Sequence, residues 1–139
     1  MANLREKVDV EMENISAVLA ELEKIKDKFN KTIAELAGIG TFLHNFYTGI
    51  ENILKQILSA KGISIPMSSS WHRDLLLRAS EEKIITETTR KQLANYLAFR
   101  HFFVHAYSFL LDERELRLLV DGVFDTYSTF KEEIEAFIR

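Results

Sequence analysis

Apolar residues recur at spacings of three and four along nearly the whole chain, and no stretch alternates apolar with polar as a half-buried strand would. Leu4, Val8, Met12, Ile15, Leu19, Leu22, Ile25 and Phe29 make one stripe. Ile33, Leu36, Leu43, Phe46, Ile50, Ile53, Leu54 and Ile57 make a second. Each predicts a long amphipathic helix with one buried face. Gly38 and Gly40 interrupt the second stripe and predict a kink or local break. Gly62 and Pro66 end it, because glycine terminates helices and the residue before proline avoids the α region. One of Ser68, Ser69 and Ser70 caps a short helix starting near Trp71, and Thr86 caps the next. Asp112, with Glu115 three residues on, is a capping-box-like start for a last helix carrying Leu116, Leu119, Val123, Tyr127, Phe130, Ile134 and Phe137. The pattern predicts an all-α fold, an antiparallel bundle of four to five helices with short connections. At 139 residues the chain suits a single domain spanning 1–139. The phenylalanines are assigned to its core.

One helix departs from this scheme. In the run from Tyr96 to Leu110, "YLAFRHFFVHAYSFL", the stripe Leu93, Leu97, Arg100, Val104, Tyr107 places an arginine where the period calls for a core hydrophobe. Ala94, Ala98, His101, His105 and Ser108 line a second face, and Tyr96, Phe99 and Phe103 a third. A helix apolar or small on all sides is covered on all sides. A bundle of about four helices leaves one face of each wet, so a second copy is expected to pack there as a two-fold homodimer, bringing Arg100 and His105 of both copies together.

Composition narrows the chemistry. With no cysteine, disulfides, thiolate nucleophiles and cysteine-based zinc sites are excluded, in keeping with a reducing compartment. No apolar run is long enough to span a bilayer, and Met1 to Asn30 lacks the apolar core of a signal peptide, so a cytoplasmic protein without membrane contact is expected. A formal net charge of −3 argues against broad electrostatic binding of nucleic acid, so any anion must be held locally. The segment Trp71–His105 alone is positive, with 6 basic against 4 acidic residues and three of the four histidines. An anion would prefer it.

A guanidinium grips phosphate oxygens bidentately and an imidazole exchanges protons near neutrality, so Arg100 and His105 suit phosphodiester chemistry. With RNA the 2′-hydroxyl serves as nucleophile and no metal is required. A plainer reading stays open, in which Arg100 pairs with a buried carboxylate as a structural ion pair. His101 and His105, one turn apart, have the spacing of metal ligands, but no Asp or Glu lies between Thr88 and Leu111, and neither metal nor cofactor is assigned. His72, Arg73 and Arg78 are candidate RNA contacts or else a solvated face; Trp71 reads as a packing residue. Glu51, one turn from Tyr47, reads as a local polar contact or a support for the cleft.

The stretch Arg100-His101-Phe102-Phe103-Val104-His105-Ala106-Tyr107 resembles the Arg-x4-His-x-Tyr signature of HepT toxins in the HEPN superfamily. "FYTGIENILKQI", "WHRDLL" and the closing helix from Asp112 resemble HepT-like chains in order and spacing. The resemblance implies a HEPN-like homodimer and a metal-independent endoribonuclease of a toxin–antitoxin system. It implies Arg100 and His105 as catalytic residues, His101 and Tyr107 in support, and a composite cleft at the dimer interface. It also implies a partner, an MntA-like nucleotidyltransferase antitoxin that transfers AMP from ATP to Tyr107 and so inhibits the toxin. Tyr107 follows Arg100 by seven residues, which on a helix sets both on one face, whereas His105 lies about 140° around from Arg100. A second class of function stays open: a non-catalytic HEPN module that binds nucleotide or substrate beside a nucleotidyltransferase.

Overall fold

The apolar stripes become five helices. A computed structural model describes residues 2–107 and 111–139, and no strand occurs among the described residues. The helices are α1 (Ala2–Ile25), α2 (Ile33–Ala60), α3 (Trp71–Glu81), α4 (Glu87–His105) and α5 (Glu113–Ile138). Helix α2 is the central element and packs against all four others. The core runs along it: Leu43, Phe46, Ile50, Ile53, Leu54 and Ile57 are all fully buried and meet Ile15 and Leu22 of α1, Leu75 of α3, Leu93 of α4 and Phe130 of α5. Each such side chain contributes roughly 1.5–3 kcal/mol by leaving water.

The boundaries have local causes. Thr32 and Glu35 form a reciprocal capping box: Glu35 N donates to Thr32 Oγ1 at 3.1 Å and Thr32 N to Glu35 Oε1 at 2.8 Å. That box starts α2 sharply, and α1 stops at Ile25, seven residues earlier. Phe29 therefore lies in the connection and is exposed, not on the buried stripe as its spacing suggested. Phe102 is also partly exposed, so the assignment of every phenylalanine to the core does not hold. Of the kink or local break expected at Gly38 and Gly40, the break is absent, since α2 runs through both. Gly40 has a packing role instead, for the Phe103 ring of α4 lies directly against its Cα.

Ser70 caps α3 by position without a side-chain bond to the backbone; its hydroxyl goes to Asp74 Oδ2 at 2.8 Å. Thr86 caps α4, accepting from Thr89 N at 3.2 Å. Glu133 of α5 then clasps that cap, accepting from Thr86 N at 2.8 Å and from the Thr89 hydroxyl at 2.7 Å. Asp112 caps α5 by accepting from Arg114 N at 2.8 Å, one residue nearer than the predicted box required. Tyr96 Oη donates to Leu119 O at 2.6 Å and ties α4 to α5, while Tyr127 Oη donates to Met12 O at 3.1 Å and ties α5 to α1. Among the described residues no helix is long and apolar enough to cross a membrane.

Candidate functional site

The C-terminal half of α4 crosses α2, and the polar residues that broke the apolar pattern meet there. Arg100 is half-buried, and its Nε is fully buried without a hydrogen-bond partner among the described residues. None of the ion pairs among the described residues involves it. A structural ion pair is therefore not what holds this arginine. A cation kept charged in such a place, with donors to spare, is equipped to receive an anion.

Facing it on α2 is Tyr47, completely buried. Its hydroxyl lies beside the Glu51 carboxylate without completing a hydrogen bond of normal geometry. Burial, and after it the negative charge of Glu51, pushes the Tyr47 phenol far above its usual range, while the Arg100 guanidinium pulls the other way. Tyr47 thus stays protonated, able to donate to the Glu51 carboxylate and to accept from the Arg100 guanidinium. Glu51, itself buried, has its direct partner on α3: His72 Nδ1 stands 2.7 Å from Glu51 Oε2. The Glu51 side chain is 6% exposed and the His72 side chain 41%. The Trp71 ring meets the His72 ring edge-on with centroids 4.9 Å apart, and Lys55 Nζ sits 5.4 Å from the centre of the Trp71 ring. Trp71 is a half-buried packing residue, as its sequence setting indicated.

Further along α4, His101 and His105 are exposed, their rings edge to face with centroids 4.9 Å apart. Phe102 at 43% and Val104 at 50% are exposed beside them. The helix is therefore not covered on every side by its own chain, and its uncovered surface carries both the imidazoles and the apolar residues. Phe99 and Phe103 stack on each other toward the core, and the His44 ring of α2 lies 6.0 Å from Phe103.

Tyr107 departs from the expected geometry. Helix α4 ends at His105, and Ala106 has extended backbone (φ −104°, ψ 155°). Tyr107 lies past the helix and is 72% exposed, so it does not project two turns along the face of Arg100. The expectation for Ser108 falls outside the described residues. Of the other candidates, Arg73 is exposed next to His72, whereas Arg78 is turned to Glu82, with Nε to Oε2 at 3.3 Å. Among the described residues no three histidines or carboxylates converge as a metal site would require.

The structure adds a row on α2 that the sequence had not assembled. Gly40, His44, Tyr47 and Glu51 follow one another at spacings of four, three and four, so they share one face. That face meets Phe103, Arg100 and His72 in turn. The signal was present, since a glutamate between Ile50 and Ile53 interrupts the most apolar part of the chain, but its partner could not be named without the fold.

A family model described as HepT-like protein matches residues 38–139. No curated protein is detectably similar to the sequence. Among solved structures, a cytosolic protein of unknown function, YutE from Bacillus subtilis, superposes with a TM-score of 0.77 at 19% identity, over 96% of this chain and 90% of the other. A chain from the crystal structure of a toxin–antitoxin with AMP-PNP superposes with a TM-score of 0.83 at 16% identity, over 94% of this chain and 98% of the other. At these identities both likenesses establish the fold.

Proposed function

The chain belongs to the HepT-like protein family, and we propose that it is the toxin of a toxin–antitoxin pair, a metal-independent endoribonuclease working as a homodimer. The observation that carries this reading is Arg100: a cation with a buried Nε, no carboxylate partner among the described residues, and two exposed imidazoles one and five residues further along its helix. The fold shared with a chain from a toxin–antitoxin structure supports the same class.

In this reading a phosphodiester of RNA lies against Arg100. The 2′-oxygen attacks phosphorus, its bond to the 5′-oxygen breaks, and a 2′,3′-cyclic phosphate is left. His105 moves a proton from the 2′-hydroxyl or to the departing 5′-oxygen, and His101 supports it. Arg100 steadies the charge that builds on the non-bridging oxygens. The exposed Phe102 and Val104 supply an apolar surface for a second copy, which sets two such sites side by side. His72 and Arg73, at the start of α3, are the groups best placed to hold flanking phosphates.

Control falls to Tyr107, which is accessible to a partner enzyme beyond the end of α4. Its phenolic oxygen attacks the α-phosphate of ATP on an MntA-like nucleotidyltransferase, pyrophosphate leaves, and the phenolic proton is released. The attached AMP carries an anion into the cationic cleft and repels substrate. Two measurements test the proposal. The purified protein should cleave RNA in the presence of EDTA, and Arg100→Ala and His105→Ala, still folded, should abolish cleavage. Co-expression with an MntA-like enzyme should add AMP to the intact mass, mapping to Tyr107. Full cleavage by both alanine variants would refute the assignment.

A further inference from the structure

Two buried polar atoms on facing helices lack hydrogen-bond partners among the described residues: Arg100 Nε on α4 and Tyr47 Oη on α2. Nearly all buried polar groups in native proteins are paired, so a facing pair of exceptions calls for a reason. Tyr47 feels the Glu51 carboxylate and the Arg100 guanidinium with opposite sign; it stands one turn before Glu51 on the face of α2 where Gly40 and His44 meet Phe103, three residues from Arg100 on α4. Glu51 is as deeply buried as a core hydrophobe. A carboxylate at that depth ordinarily keeps a permanent cation beside it. Here its direct partner, 2.7 Å away, is His72, a residue type whose charge changes near neutral pH.

Resting on the ribonuclease reading of the cleft, we infer that Glu51 and Tyr47 position Arg100, and that the charge on His72 sets how strongly Glu51 competes with a phosphodiester for that guanidinium. When His72 is charged it balances Glu51 directly, and Arg100 is left to the substrate. When His72 is neutral its Nδ1–H still donates to Glu51, so the geometry persists, but the full negative charge of the carboxylate is felt across Tyr47 by Arg100. Substrate binding therefore strengthens as pH falls. Other charged groups surround the pair without taking this part. On α2, Lys55 lies over Trp71; on α1, Glu11 Oε1 accepts from the Asn52 amide at 3.3 Å; on α3, Asp74 is bonded to Ser70 and Arg73 is exposed. On α4, His101 is turned outward to His105.

The test compares wild type with His72→Gln, a half-exposed position where the amide can still donate to Glu51. Two readouts are used, neither needing cleavage: the 15N resonance of Arg100 Nε followed between about pH 5 and 9, and the affinity for a 2′-O-methyl oligoribonucleotide at the two ends of that range. In wild type the Arg100 resonance moves with the His72 ring titration, and in His72→Gln that movement is gone. The tightening of oligonucleotide binding on acidification is smaller in the variant by roughly fivefold, as expected for one charge acting through a partly buried site. Glu51→Gln, if folded, behaves like His72→Gln. An Arg100 resonance that responds to pH identically in wild type and His72→Gln overturns the inference. A wild-type protein whose Arg100 follows His72 but which cuts no RNA sinks the ribonuclease reading and leaves this coupling standing.

Discussion

Gly40 and Phe103 approach so closely that a Cβ on the glycine would lie 2.5 Å from the ring carbon Cε1. The ring cannot retreat freely, being stacked on Phe99 and adjacent to His44. Gly40→Ala gains about 1 kcal/mol of helix propensity but incurs an overpacking penalty of about 1–3 kcal/mol, so a net loss of about 1 kcal/mol is expected. Two residues from Phe103 stands His105, so the same variant should lower RNA cleavage more than its stability loss accounts for. Gly38 is the internal control: nothing lies within 4 Å of its missing Cβ, and Gly38→Ala should stabilise by roughly 0.5–1 kcal/mol. Urea unfolding of the two variants should give opposite signs.

A stronger effect is expected where α1 meets α2. A Cβ on Gly49 would fall 2.5 Å from Ile15 Cγ1 and 2.8 Å from its Cδ1, and Ile15 is fully buried. With a stiff β-branched residue on the other side, Gly49→Ala should destabilise by about 1–3 kcal/mol in the same assay. Gly49→Ala with Ile15→Val should recover part of that loss.

Acid sensitivity has a specific source at the start of α4. Arg90, and after it Ser80, hold the Glu87 carboxyl down to about 2, from an ordinary value of 4.5; Arg90 Nε donates to Glu87 Oε1 at 2.8 Å. Because the folded value is depressed, this contribution is fully present above the unfolded value and is lost as pH falls from 4.5 through about 2. Wild type should melt above Glu87→Gln at neutral pH, and the gap should close across that acid interval. A gap that stays constant through the interval would contradict the assignment.

The uncovered face of α4 makes a separable prediction about assembly. Phe102→Glu and Val104→Glu replace exposed apolar groups, so each chain should fold as before. Sedimentation equilibrium should show the dimer weakened by at least tenfold, since each substitution would bury an unpaired carboxylate at the interface. Cleavage should fall in parallel with the dimer population. Loss of cleavage in a variant that remains dimeric would locate the damage within a single cleft.

The long helices were legible because each carries its own buried stripe, and α3 to α5 start at residues whose caps could be read directly. Phe29 misled because it continues the spacing of α1, while the Thr32–Glu35 box that ends the connection signalled the next helix only three residues later. Gly40 looked like an interruption because its use, admitting the Phe103 ring, depends on a contact 63 residues away. Arg100 stood out in sequence as a charge in an apolar register. Its surroundings did not, since Glu51 finds His72 only when α2 and α3 are packed. The end of α4 at His105 carries no glycine or proline to mark it, so Tyr107 was assigned to the wrong side of that boundary.

The clasp of Glu133 on Thr86 and Thr89 has a consequence for engineering. Every residue of α4 is counted from that first turn, and Arg100 stands 14 positions downstream. A helix advances about 1.5 Å and turns about 100° per residue, so slippage by one position at its origin would swing the guanidinium away from the Tyr47 face of α2. A single carboxylate on the last helix thus acts as the zero mark of a ruler, and changes near the far end of the chain will be felt as misalignment at an arginine they never touch.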